Sequence, residues 1–124
     1  MRLKNFLITV TDVERAKAFY KDLFGLDAIL DNGRNLILTG GLVLQDRSLW
    51  EEAIGQNVIA WNNSSALYFE EPDIEAFAEK LSRYEESVSP IRYICPLTEI
   101  FPGRRVIRFY DPDGNLIEVG TPWR

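Results

Sequence analysis

The pattern of hydrophobic and polar residues in the first part of the chain has a period of two residues and then the period of a helix. Hydrophobic and polar residues alternate over residues 3–10, which is the two-residue period of a β-strand. Apolar residues then recur at helical spacing, and Asp12 is a residue type that commonly caps a helix N-terminus. The pattern predicts a helix from Asp12 to about Phe24, ended by Gly25. Its apolar stripe consists of Val13, Ala16, Tyr20, Leu23 and Phe24.

Three short strands are predicted after this helix. Asn32-Gly33 is a strong signal for a tight hairpin, and Gly40-Gly41 marks a second turn. A short helix is expected over Ser48–Ile54, with Ser48 as its cap. The three predicted strands are residues 28–31, 35–38 and 42–45.

The pattern restarts after a polar loop, Asn62–Ser65, which is the best candidate for a module boundary. Asp73 again stands where a helix cap is expected. Residues 96–103 contain two prolines and are expected to form a loop. The other predicted elements are strands at 66–70, 91–95, 105–110 and 116–119 and a helix with the apolar residues Ile74, Phe77, Leu81 and Tyr84.

Two copies of one unit account for this restart. The strand position of Asn5 recurs 61 residues later at Ala66, and Gln45 recurs 73 residues later at Glu118. A unit of about 60 residues can hardly close its own core, so we expect modules 1–61 and 62–124 to form one domain over residues 1–124. The predicted fold class is α+β: two βαβββ modules that form a curved eight-stranded mixed sheet, with the helices on its convex face.

Composition and charge remove several classes of partner. Hydrophobic residues make up 46% of the chain and charged residues 27%, as in ordinary globular proteins. The net charge of −5, without a basic stripe, argues against nucleic acid and tolerates a cationic ligand. No apolar run is long enough to span a membrane, and the first ten residues do not resemble a signal peptide. A cytoplasmic location is therefore expected.

The chain contains no histidine. This excludes a histidine general base, Ser-His and Cys-His nucleophile pairs, and the iron site made of two histidines and one carboxylate. A zinc site would have to rely on carboxylates and one thiol, which is a poor donor set. Cys95 lies in an apolar stretch and is expected to be a buried structural thiol rather than a nucleophile.

Two segments resemble a known superfamily. Residues 11–26, TDVERAKAFYKDLFGL, are similar to the first helix of the glyoxalase, bleomycin-resistance and extradiol dioxygenase superfamily, which has the vicinal oxygen chelate fold. Residues 105–119, RVIRFYDPDGNLIEV, resemble its closing hairpin. The resemblance implies the paired-module fold and a homodimer. It leaves the chemistry open, because the fold hosts lyases, isomerases, thiol transferases, dioxygenases and drug-sequestering proteins.

The resemblance also implies four metal-ligand positions, which fall on Asn5, Gln45, Ala66 and Glu118. Catalytic members of the superfamily typically have histidine at one or both first-strand positions, whereas this chain offers one carboxylate, two amides and an alanine. We therefore expect no metal and no other cofactor. The alternative is a hard divalent ion held weakly by Asn5, Gln45 and Glu118, with water or substrate completing its shell.

Four polar residues are expected to converge in the concave cup of the sheet and to bind the ligand: Asn5, Gln45, Tyr68 and Glu118. Alternatively, these groups satisfy one another. Glu118 is the candidate catalytic residue, because a desolvated carboxyl group with a raised pKa can abstract a proton next to a carbonyl.

Several aromatic residues and arginines have two interpretations each. Trp61 and Phe101 are predicted to line the ligand pocket, although they could equally be core or interface residues, as could Trp50 and Tyr93. Trp123 is expected to anchor the chain end. Four arginines also have two interpretations: binding of a substrate carboxylate, or exposure to solvent and pairing with acids. These arginines are Arg92, Arg104, Arg105 and Arg108.

The leading functional hypothesis is a protein that binds a small cationic or aromatic molecule in the cup without a catalytic metal, as the bleomycin-resistance proteins of the superfamily do. The alternative is a glyoxalase-like lyase or isomerase that uses Glu118, with Asn5 and Gln45, around a hard divalent ion. A third interpretation is that the cup has lost its function and that the protein acts through a partner protein.

Overall fold

The computed structural model describes residues 1–122, and the chain divides into two compact units, Met1–Ala60 and Trp61–Arg124. In each unit a strand, a helix and three further strands follow one another. This confirms the α+β class and the βαβββ arrangement predicted for each module. The anchor predicted at Trp123 lies outside the described residues.

The elements of the first unit are β1 (Phe6–Val10), α1 (Val13–Phe24), β2 (Ala28–Asp31), β3 (Asn35–Leu38), β4 (Leu42–Asp46) and α2 (Arg47–Ile54). Those of the second unit are β5 (Ala66–Glu70), α3 (Ile74–Ser87), β6 (Arg92–Phe101), β7 (Arg104–Tyr110) and β8 (Leu116–Gly120).

Within residues 1–122 the strands hydrogen-bond into two four-stranded mixed sheets. The strand order is β1-β4-β3-β2 in one sheet and β5-β8-β7-β6 in the other, which is the same order in both copies. The first and last strands of each copy pair in parallel, and the other pairs are antiparallel. The internal repeat seen in the sequence is therefore a repeat of topology.

Helix α1 covers the first sheet for the reasons that its sequence predicts. The Asp12 side chain accepts a hydrogen bond from the Arg15 backbone N–H at 3.0 Å, and Gly25 ends the helix with a φ of 68°. The buried stripe of the helix includes Phe19 and Tyr20, whose rings meet edge to face at a centroid distance of 5.0 Å. Their burial against the sheet makes the core of this unit.

The cap predicted for α2 is wrong by two residues. The side chain of Asp46, not of Ser48, accepts the hydrogen bond from the Leu49 backbone N–H, at 2.9 Å. The reason is that β4 runs directly into the helix, so the last residue of the strand is also the cap. This hydrogen bond, together with the Arg34 guanidinium, lowers the pKa of the Asp46 carboxyl group.

Helix α3 covers one face of the second sheet. Asp73 caps it by accepting a hydrogen bond from the Ala76 backbone N–H at 3.2 Å. Phe77 of the helix lies 6.3 Å from Phe109 of β7, and Glu75 pairs with Arg105 of β7 at 2.9 Å. Because side chains alternate along a strand, the remaining residues of β7 point to the face turned away from α3, which we call the far face.

The loop predicted over residues 96–103 is wrong, because β6 runs from Arg92 to Phe101. This strand lies at the edge of the sheet, where a proline such as Pro96 need not remove a hydrogen bond from the ladder. Three register shifts along the β6–β7 pair accommodate the irregularity. The additional residues of the second copy thus lengthen a hairpin instead of forming a loop.

The predicted burial of Cys95 is wrong. Cys95 is half-buried, not buried as predicted, because β6 is an edge strand with no neighbour on one side.

Among the described residues, no helix is long and apolar enough to cross a membrane.

Candidate functional site

One row of polar side chains crosses all four strands of the second sheet. Tyr68 of β5 is registered with Glu118 of β8, Glu118 with Arg108 of β7, and Arg108 with Cys95 of β6. Arg108 lies on the far face, since its neighbour Phe109 contacts α3. We call these four residues the polar row. The sheet register alone therefore places a phenol, a carboxylate, a guanidinium and a thiol side by side.

The centre of the polar row is an ion pair. Arg108 Nε donates a hydrogen bond to Glu118 Oε1 at 2.7 Å, and Arg108 Nη1 lies 4.0 Å from Cys95 Sγ. The Arg108 side chain is 38% exposed and that of Glu118 is 25% exposed. The hydrogen bond to the carboxylate raises the pKa of Arg108. Glu118 is therefore paired with Arg108, which takes one of the two roles left open for that arginine.

The turn between β7 and β8 fixes the register of that pair. The Asp111 side chain accepts hydrogen bonds from the backbone N–H groups of Asp113 and Asn115, both at 2.9 Å. The Asp111 backbone N–H also donates to the Asn115 carbonyl at 2.9 Å, which closes the loop. A turn held in this way keeps the strands in one alignment, and this alignment brings Arg108 opposite Glu118.

A buried arginine positions Tyr68. Arg104 is only 5% exposed, and its Nη1 donates to Tyr68 Oη at 2.9 Å and to the Thr121 carbonyl oxygen. Gly120 makes room for this contact, because a Cβ at that position would lie 2.6 Å from Arg104 Nη1 and 2.7 Å from Tyr68 Oη. The phenol oxygen accepts from Arg104, so the hydroxyl proton of Tyr68 can be donated to a ligand. The sequence pattern does not predict this buried position for Arg104.

An aromatic corner lies one row away on the far face, and it consists of Trp61, Tyr110 and Arg92. The Trp61 and Tyr110 rings meet at a centroid distance of 4.8 Å, and the Arg92 guanidinium carbon lies 4.7 Å above the Trp61 ring. Trp61 has a positive φ of 62° and packs against Gly114, where a Cβ would lie 2.6 Å from the ring. The ring is therefore held firmly while part of it stays exposed.

The other predicted aromatics are divided between the two faces. Phe101 is exposed and is registered with Arg104, which places it on the far-face side of β6. Tyr93 is on the opposite side, where its hydroxyl donates to Glu85 of α3 at 3.1 Å. Partial burial and this carboxylate raise the pKa of Tyr93 to about 12. Tyr93 thus fastens β6 to α3 and does not line the far face.

The two amide candidates of the first unit are hydrogen-bonded within that unit. Gln45 is 6% exposed, and its Oε1 accepts from Asn35 Nδ2 at 2.6 Å. Asn5 Nδ2 donates to the Gly41 carbonyl oxygen at 3.1 Å. The partners in these contacts are Asn35 and Gly41, which are not among the four polar residues that the sequence analysis expects to converge. The convergence of Asn5 and Gln45 with Tyr68 and Glu118 would join the two units, and it stays a prediction.

The donor set at the four implied metal positions does not fit a resident metal ion. Ala66 has no donor, the Gln45 oxygen accepts from Asn35, and Glu118 pairs with a guanidinium that would repel a cation. Within residues 1–122, no group of three or more histidine, cysteine, aspartate or glutamate side chains is placed to hold a metal ion.

Comparison with known proteins places the chain in a family. The family model described as a glyoxalase-like domain matches residues 3–124. No match is found among curated proteins. The match to the family model covers nearly the whole chain, including both units.

Solved structures show the same relationship. A protein of unknown function from Agrobacterium tumefaciens str. C58 is 33% identical, with a TM-score of 0.81 over 99% of this chain and 95% of that chain. A lactoylglutathione lyase from Agrobacterium tumefaciens is 26% identical, with a TM-score of 0.66 over 97% of this chain and 92% of that chain. The fosfomycin resistance protein FosX from Listeria monocytogenes, at 18% identity and a TM-score of 0.72 over 99% of this chain and 94% of that chain, shares the fold.

Proposed function

The chain belongs to the glyoxalase-like domain family, and from this premise we propose that it binds a small organic molecule on the far face of its second sheet, without a resident metal ion. The observation that carries this proposal is the polar row, in which Tyr68, Glu118 and Arg108 stand side by side and partly exposed. A few convergent polar groups beside aromatic side chains are typical of sites for small molecules.

The roles within the site follow from the chemistry of each group. The Tyr68 hydroxyl donates to a carbonyl or anionic oxygen, and Arg104 keeps it in place. Arg108 supplies charge-assisted hydrogen bonds, and Glu118 accepts them. Trp61 and Tyr110 offer flat apolar surface to the rest of the molecule. Binding of this kind needs no Lewis acid.

The similarity to a lactoylglutathione lyase supports a second candidate function, a metal-dependent lyase or isomerase with Glu118, Asn5 and Gln45 around a hard divalent ion. Metal analysis of protein purified without chelator distinguishes the two. The metal-free proposal expects no stoichiometric ion and no change in the melting temperature on adding Mn²⁺ or Ni²⁺. One ion per chain that is lost in Glu118→Gln would favour the lyase or isomerase.

A compound screen with matched variants tests the proposed site. The melting temperature of the wild type is measured against a collection of metabolites and drugs, and each hit is repeated with Arg108→Gln and Arg105→Gln. Both variants remove one arginine from β7, but Arg105 lies on the face that contacts α3. We expect hits that stabilise the wild type and Arg105→Gln and do not stabilise Arg108→Gln. A collection without hits, or hits that act equally on both variants, would contradict the proposal.

The proposal also includes a homodimer and a cytoplasmic location. The resemblance to the superfamily implies the homodimer, and the sequence pattern leads us to expect the location. Light scattering during size-exclusion chromatography tests the first, with a mass of twice 14.3 kDa expected for a dimer. Cell fractionation tests the second.

A further inference from the structure

The far face carries several arginines although the chain as a whole is acidic. The whole chain carries a net charge of −5. Register and alternation nevertheless place three arginines on the far face, Arg92, Arg104 and Arg108, against the acids Glu118 and Glu70. Arg104 is buried, so a ligand on this face meets Arg92 and Arg108 at the surface, and the overall charge of the protein is a poor guide to the charge of the ligand.

Arg108 has capacity for a second anionic partner. Its guanidinium carries five N–H donors, of which the Nε–H goes to Glu118 and one Nη1–H is directed at Cys95. The side chain is more than a third exposed, so the remaining donors can be approached from solvent. A carboxylate or phosphonate group could therefore form two parallel hydrogen bonds with Arg108 while competing with Glu118 for the same charge.

Arg92 supplies a second positive charge beside a flat apolar surface. Its partner in the register is Tyr110, two residues from Arg108 on β7, so the two arginines stand on neighbouring rows. These rows are about 7 Å apart in the direction of the strands. The guanidinium lies 4.7 Å above the Trp61 ring, an arrangement that holds the charge in place. An anion with an aromatic or planar body would therefore meet both charge and ring surface.

We propose that the ligand of the far face is an organic anion, whose charged group binds Arg108 in competition with Glu118 and whose apolar body lies against Trp61 and Tyr110. This inference rests on the proposed function and adds the class of molecule. A cationic ligand would instead have to approach Arg108 and bind Glu118, whose Oε1 already accepts a hydrogen bond from that arginine.

Isothermal titration with three probes of one shape tests the inference. Phenylphosphonate is the anion, phenyltrimethylammonium the cation and methyl phenyl sulfone the neutral analogue, each with a tetrahedral group directly on the ring, all at low ionic strength and in the presence of a chelator. We expect phenylphosphonate to bind the wild type and Arg105→Gln equally, and Arg108→Gln about tenfold more weakly. Arg92→Gln, at an exposed position, should weaken binding about threefold.

The direction in which Glu118→Gln changes the affinity for phenylphosphonate tests whether the carboxylate competes with the ligand. Removal of the competing carboxylate should tighten phenylphosphonate binding about threefold, and Glu75→Gln, the partner of the control arginine, should leave it unchanged. Arg108→Lys keeps the charge without the paired donors and should fall between the wild type and Arg108→Gln, so the test remains decisive if the latter fails to fold.

The outcomes separate the inference from the proposed function. Preference for the cation, equal affinity for all three probes, or weaker anion binding in Glu118→Gln would overturn the anionic ligand and leave a small-molecule site in place. Absence of binding by any probe would also overturn the inference, and the compound screen then decides separately whether the far face binds a small molecule at all.

Discussion

The two units place different chemistry at the same point of the same topology. Gln45 of β4 and Glu118 of β8 occupy corresponding positions, and their cross-strand partners are Asn35 of β3 and Arg108 of β7. The first pair is an amide–amide hydrogen bond with Gln45 buried, and the second is a half-exposed ion pair. The two copies therefore share the cross-strand pairing at this position, while the residue types differ: an amide pair in the first copy and an ion pair in the second.

A second pair of corresponding residues shows the same divergence. Gly41 and Gly114 are 73 residues apart, as Gln45 and Glu118 are. A Cβ at Gly41 would meet the Lys4 backbone carbonyl at 2.8 Å, whereas at Gly114 it would meet the Trp61 ring at 2.6 Å. The first unit uses this close approach to join two segments of backbone. The second uses it to hold an aromatic ring beside the proposed site.

The largest effect is expected for Gly114→Ala, which breaks the aromatic corner. Two costs combine, a positive φ of 84° and the clash with Trp61, so we expect about 3 kcal/mol of lost stability. Gly103→Ala is the control, because its φ is 80° and nothing lies within 4 Å of its Cβ, so about 1 kcal/mol is expected. Urea unfolding measures both. Equal losses would mean that Trp61 does not rest against Gly114.

The next effect concerns the buried amide pair of the first unit. Asn35→Ala removes the donor to the Gln45 oxygen and should cost about 2 kcal/mol, because a buried acceptor is left without its partner. Asn35→Asp should cost less, since the Gln45 amide can turn and donate to the new carboxylate. Urea unfolding of both variants checks the order. A cost of Asn35→Ala below that of Asn35→Asp would contradict the structural role of the pair.

A smaller effect is expected from the two ion pairs of β7. A double-mutant cycle on Arg108 and Glu118 should give a coupling of about 1 kcal/mol, since the pair is partly exposed and directly cross-strand. The same cycle on Arg105 and Glu75 should give about 0.3 kcal/mol, because Glu75 is 70% exposed. Added salt should reduce both couplings. A larger coupling for the second pair would contradict the assigned geometry.

The prediction for Tyr93 concerns the pH dependence of stability in the alkaline range. Its pKa is raised to about 12 in the folded state from an ordinary value of 10.0, so its contribution to stability is complete below pH 10 and is lost as the pH rises towards 12. Tyr93→Phe should therefore reduce the dependence of the melting temperature on pH between 10 and 12. Identical slopes in wild type and variant would show that Tyr93 is not fastened to Glu85.

The sequence predicts the topology well because local signals are strong there. Asp12 and Asp73 are caps followed by apolar stripes, and the structure uses both as caps. The irregular edge strand is different, because Pro96 gives the signal of a loop and only the position of β6 at the sheet edge explains its tolerance. That position is a property of the whole sheet and leaves no mark in the local pattern.

The candidate site is partly readable from the sequence. Glu118, Tyr68 and Trp61 are proposed from strand phase and residue type, and all three are on the far-face side of the second unit. The pairing of Arg108 with Glu118 depends on the length of the turn, and a change of one residue would move Arg108 to the other face. The Asp111 hydrogen bonds settle that length, and they can be seen only in three dimensions.

The most direct test of the account is an NMR titration of ¹⁵N-labelled protein with a hit from the compound screen, in the presence of a chelator. The account predicts that the largest chemical-shift changes occur at the amides of Tyr68, Arg108 and Glu118 and at the Trp61 indole, with little change at Asn35 and Gln45. Changes centred on Asn35 and Gln45, or binding that appears only when the chelator is left out, would contradict it.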